Sequence, residues 1–166
     1  MRDKRYIAIH RGGPLSLQNH QLLAQWAADC AEHVLPLFSK QYPKDTRPQQ
    51  AIEIARAWSR GEATVGAART ASVNAHAAAR DINEGAARFV ARATGHAVAT
   101  AHMADHAPGT AMYALKAVRA ATSEQDANTA VTQEHQWQKE QLPEEIRELV
   151  LSTFAQKYAH LVLSDI

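Results

Sequence analysis

Five polar side chains interrupt a long alanine-rich stretch: His76, His96, His102, Asp105 and His106. They are the residues of this chain best suited to chemistry. His102 and His106 stand four apart, so on one helix they share a face, a spacing at which two imidazoles can hold one metal ion. Asp105, His96, His76, or His20 from an earlier helix would supply a third ligand, and the chain would then be a metal-dependent hydrolase of helical-bundle type. The competing reading is structural. Histidines among close-packed helices hydrogen-bond carbonyls or carboxylates across the bundle and fix helix register, and His102 and Asp105, three apart, would pair directly. The structural role is the working expectation, with pH-sensitive packing as its corollary. Acid–base catalysis ranks behind both, and neither a metal nor another cofactor is expected.

Other catalytic arrangements are missing from the sequence. There is no glycine-rich phosphate loop and no Gly-x-Ser-x-Gly, and His-Glu-x-x-His fails because Met103 follows His102. Glu53, Arg56 and Trp58 lie close together, which reads as an ion pair beside a core tryptophan, with a nucleotide-stacking surface as the sharper alternative. Arg69, Arg80, Arg88 and Arg92 suggest a basic ridge for phosphate, with Asp81 and Glu84 interspersed. Cys30 is the only cysteine and lies in an apolar stripe, so it is expected to be a buried, inert thiol.

The elements that must position these groups are helices throughout. Leu23, Trp26, Ala27, Cys30, Val34 and Leu37 form one stripe, with Ser16 placed to cap it and Pro36 to end or kink it. Arg47-Pro48 opens a second helix, which stops at Gly61. A third runs from Thr64 to about Asn83, and a fourth from Ala86 through Ala104, with Gly95 offering a place for another backbone to approach. Pro108-Gly109 opens a fifth, Ser123 a polar sixth, and Pro143 a seventh carrying Ile146, Val150, Phe154, Tyr158 and Val162 at every fourth position. The fold expected is all-α, a compact bundle of six or seven helices. Of 34 alanines, 22 lie between Ala63 and Ala121, so the centre must be closely packed and the large side chains of the first and last helices must supply much of the burial.

Charge limits the partners. Lys and Arg total 18 against 17 Asp and Glu, which leaves no global attraction to nucleic acid or to an anionic membrane. The last 44 residues hold 3 basic and 8 acidic side chains, so Glu134, Glu140, Glu144, Glu145 and Glu148 are the candidate contacts for a basic partner. An exposed alanine-rich face is also compatible with self-association into a homo-oligomer. No apolar run has the length of a spanning helix or a signal-peptide core, and with a single cysteine the expected location is the cytoplasm. Residues 1–14 read as an N-terminal arm, to be packed on a partner or left mobile, and residues 15–166 as one helical domain.

The stretch Arg47–Glu62, with Glu53, Arg56, Trp58 and Gly61, is followed by Asn74–Arg80, with His76, and by Ala93–His106, with Gly95, His96, His102 and Asp105. This pattern resembles a bacterial family of putative immunity proteins, the partners of polymorphic toxins. The match is best from about Arg47 to Val118. The resemblance implies a small helical cytoplasmic protein that binds a cognate protein toxin and blocks it without turnover. The motif residues, Arg80 and His106 included, fall on small-residue helices and are expected to act in packing. The acidic residues 123–148 are expected to meet the partner.

Overall fold

A computed structural model describes Arg2 to Val162. Ser16 caps α1 (Leu17–Val34), its Oγ accepting from the Asn19 amide at 3.1 Å. A single turn, α2 (Pro36–Ser39), follows, with Pro36 in its first position, where the missing N–H costs no helical bond. Helix α3 (Arg47–Ser59) carries Pro48 at its start and ends before Gly61, whose φ of 75° lies in the left-handed region. Thr64 caps α4 (Val65–Arg80) through the Ala67 amide at 3.1 Å. The remaining helices are α5 (Ala86–Ala99), α6 (His106–Ala121), α7 (Ala127–Glu140) and α8 (Glu144–Lys157). Among the described residues there is no β-strand, so the all-α bundle is as expected, with seven helices of three turns or more and one single turn.

Helix α5 is the hub. It packs against α1, α2, α3, α4 and α6, and Ala87, Val90, Ala91, Ala93, Thr94, Gly95, Ala97 and Val98 are all buried. A helix surrounded on nearly every side must be apolar nearly all round, and only small side chains let so many neighbours approach it. The larger groups sit further out, where Leu23 and Trp26 of α1 share a cluster with Leu115 of α6 and Ile146, Val150 and Phe154 of α8. Two of the hydrogen bonds that tie α7 to this layer run through Gln138. The Trp26 indole donates to the Gln138 carbonyl at 2.9 Å, and the Gln138 side-chain amide donates to the Ala111 carbonyl at 3.2 Å.

Two helix ends differ from the sequence reading. The fourth predicted helix stops at Ala99 rather than Ala104, and residues 100–105 run as turns into the next helix. The break places Pro108 in the first turn of α6 instead. The presumed N-terminal arm is folded onto the body: Tyr6 is buried, its hydroxyl lies 2.8 Å from Thr153 Oγ1 on α8, and Arg5 donates to Ser152 Oγ at 2.7 Å. Tyr158 and Val162, expected on the last helix, lie just past its end and still pack on the main core. Among the described residues no helix is long and apolar enough to cross a membrane.

Candidate functional site

The histidines form a seam between α4, α5 and α6. His76 of α4 lies edge-on to His96 of α5, with ring centroids 5.5 Å apart, and His96 meets His106 of α6 at 4.9 Å. Glycine makes room for both rings. A Cβ on Gly95 would fall 2.7 Å from His76 Nε2, and one on Gly109 would fall 3.0 Å from His96 Nδ1. The close approach expected at Gly95 is therefore made by an imidazole rather than by a backbone. The same glycine's carbonyl accepts from Ser72 Oγ at 3.0 Å, which pins α4 to α5 beside the ring.

Hydrogen bonding restricts the protonation of this seam. Arg92 donates to His76 Nδ1 at 3.0 Å, so His76 accepts there and carries its proton on Nε2. His96 Nδ1 and His106 Nδ1 are 3.1 Å apart; one must donate and the other accept. A second proton would set two N–H groups against each other. Burial is the first cause of a depressed pKa in His76, which drops to about 4, with Arg92 next. Burial again leads for His96, at about 3, with His106 adding to it. His102 and His106 are lowered too, mainly by burial. The seam is thus held neutral by desolvation and by the arginine beside it.

The shared helix face proposed for His102 and His106 does not exist. His102 sits in the turn that follows α5, and His106 begins α6, with ring centroids 5.7 Å apart. His102 Nδ1 and Asp105 Oδ1 are both buried without a hydrogen-bond partner, so these two residues do not pair, and Asp105 instead approaches Arg2 at 3.6 Å. Among the described residues no three His, Cys, Asp or Glu side chains converge as a metal ion would need. His20, considered as a third ligand, lies 2.6 Å through Nε2 from the Thr100 carbonyl at the C-terminus of α5. There it satisfies one of the carbonyls that a helix end leaves free.

The remaining motif residues are dispersed. Arg56 pairs with Asp29 at 2.7 Å and Glu32 at 2.6 Å on α1, not with Glu53, which is exposed and accepts from Gln49. Trp58 is buried against the His20 ring, with centroids 4.6 Å apart. Arg80 is exposed at the end of α4, and Gly61 closes α3. Cys30 is fully buried, and burial pushes its thiol pKa well up.

One surface arrangement has no signal in the sequence. His33 of α1 stacks on Trp137 of α7 with ring centroids 3.7 Å apart and planes within 9°. Its Nδ1 lies 2.9 Å from Glu134, whose carboxylate is only 7% exposed, while the His33 ring keeps 42% of its side-chain surface in solvent. Asp29, Glu32 and Gln141 complete an open groove of about 420 Å³. Glu134 therefore leaves the set of free acidic contacts, whereas Glu140, Glu144, Glu145 and Glu148 are exposed. His33 and Glu134 are a hundred residues apart in the chain, so no spacing rule could bring them together.

These features describe a compact all-helical protein in which His76, His96 and His106 contact one another between α4, α5 and α6 and whose charged grooves lie at the surface. Residues 13–145 match the family of Imm-5 like putative immunity proteins, and the chain belongs to that family. No curated protein and no solved structure matches it. The matched span holds the whole seam and the His33–Trp137 groove; most of α8 and the Tyr6 segment that packs on it lie outside.

Proposed function

We propose that this protein is a non-catalytic immunity protein that binds a cognate protein toxin and neutralises it by occlusion. Family membership carries this reading. The internal use of the histidines supports it: His20, His76, His96 and His106 all have partners within the fold. The space beside His20 and His102 is a cavity of about 70 Å³, well below the roughly 300 Å³ at which small-molecule pockets begin.

The contact face proposed is the acidic side formed by α7 and α8, entered through the His33–Trp137 groove. Glu140, Glu144, Glu145 and Glu148 are exposed there, with Arg147 paired to Glu144 at 3.2 Å, and Asp29 and Glu32 rim the groove although Arg56 offsets part of their charge. A stacked tryptophan and histidine beside carboxylates suits a Lys or Arg side chain of the partner, whose cation gains both an aromatic neighbour and a counter-charge. Coexpression with the product of the adjacent gene tests the reading. Growth rescue together with a stable complex is expected, and reversing Glu140, Glu144, Glu145 and Glu148 to lysine should abolish both. Absence of complex and rescue with the unaltered chain would overturn the function, whereas rescue that survives the four reversals would overturn only the face.

A further inference from the structure

On another side of the bundle, α5 and α6 enclose a second groove, of about 450 Å³, lined by Asn83, Glu84, Gly85, Arg88, Phe89, Arg92, Tyr113 and Lys116. Arg88 and Arg92 stand one helical turn apart on α5, so both reach the same side, and Lys116 faces them from α6. Among the described residues none of the three cations has a carboxylate within ion-pair distance. Each is instead held by neutral groups: Arg88 donates to the Asn83 carbonyl, Arg92 to His76 Nδ1, and Lys116 lies 5.5 Å above the Tyr113 ring. Glu84 is the single acid in the lining. Asp81, which the sequence suggested would neutralise this region, is taken up by Arg47 at 2.8 Å.

Two further details make the groove more than a basic patch. Phe89 and Tyr113 form its apolar wall, their rings 6.4 Å apart and inclined by 29°. Gly85, at a φ of 102°, precedes α5 without a side chain to cap it and itself lines the groove. Cations from two helices, an aromatic wall and a volume in the range of small-ligand pockets define a consistent chemistry. The phosphate would engage Arg88, Arg92 and Lys116, and a planar ring would lie along Phe89 and Tyr113. Arg92 is held for this by His76, so the seam positions one of the three cations.

We propose that the α5–α6 groove binds a small phosphorylated molecule bearing a flat ring, the chemistry of a nucleotide. This site is separate from the acidic face and does not depend on the identity of any toxin. Isothermal titration calorimetry of the full chain at low salt, with AMP, adenosine and inorganic phosphate, tests it. AMP should bind, phosphate more weakly, and adenosine weakest. Lys116→Gln should weaken AMP about tenfold, Lys116→Arg should restore most of the affinity, and Arg69→Gln, on a residue outside the lining, should leave it unchanged. Circular dichroism on each variant separates lost binding from lost folding. The proposal fails if AMP does not bind, if Lys116→Gln binds it as tightly as the unaltered chain, or if an oligoglutamate peptide binds more tightly than AMP.

Discussion

The protein places histidines in two opposite environments. In the seam, His76, His96 and His106 are packed among alanines and glycines, their partners are one another and Arg92, and the outcome is neutrality. At the surface, His33 has a buried carboxylate behind it, a tryptophan beneath it and solvent in front. Interior imidazoles here act as rigid polar spacers between helices that lack large side chains. The exterior one is displayed, and among the described residues its second nitrogen has no hydrogen-bond partner.

Acid should break the seam first, and this is the largest effect expected. The unfolded chain protonates its histidines near pH 6.5, whereas His76 resists to about pH 4 and His96 to about pH 3. Below pH 6.5 the unfolded state therefore binds more protons, and stability must decline as pH decreases, by up to about 1.4 kcal/mol per pH unit for each such group until its folded pKa is reached. Arg80 and Arg92 reinforce the resistance in His76, and Asp105 opposes it at His106. Urea unfolding from pH 7 to pH 4 measures the slope; a flat profile would mean that the seam is already charged or solvated.

Gly95→Ala attacks the same region without charge. The added methyl would meet three atoms of the His76 ring within 3 Å, a degree of overpacking that costs about 1–3 kcal/mol. Gly66→Ala, near the start of α4, meets nothing closer than 3.8 Å and should be neutral or stabilise by up to about 1 kcal/mol through helix propensity. Denaturant midpoints of the pair isolate the steric part.

Tyr6→Phe probes the packing that lies outside the family span. Loss of its hydroxyl removes the contact with Thr153, which keeps its own bond to the Leu149 carbonyl at 2.8 Å, so a destabilisation of about 1 kcal/mol is expected. The thermal midpoint of the variant reads it. The smallest stability effect belongs to the acidic face. Glu140→Lys should change unfolding free energy by less than about 0.5 kcal/mol while weakening toxin capture in a pull-down. A large loss of stability would show that this face is part of the scaffold rather than a place of contact.

Helix starts and stops were legible because their chemistry is local. Ser16, Thr64, Pro48 and Gly61 act within one turn of their own position, and the alanine distribution correctly pointed to a close-packed centre. The candidate site was legible only in its residue types. Whether His102 shared a helix with His106 depended on where α5 ended, and at that end the Thr100 carbonyl is taken by His20, eighty residues earlier, a partner that no local pattern reveals.

From its sequence alone, this chain was bound to be helical, alanine-centred and punctuated at Ser16, Pro48, Gly61 and Thr64, since periodicity and capping are properties of neighbouring residues. Tertiary packing decided which polar groups face one another. Arg92 reached His76, His33 reached Glu134 and Trp137, and Lys116 joined Arg88 across a groove. Contacts of that kind are settled by how closely whole helices approach, and here the approach was set by glycine and alanine faces that carry no signal of their eventual partners.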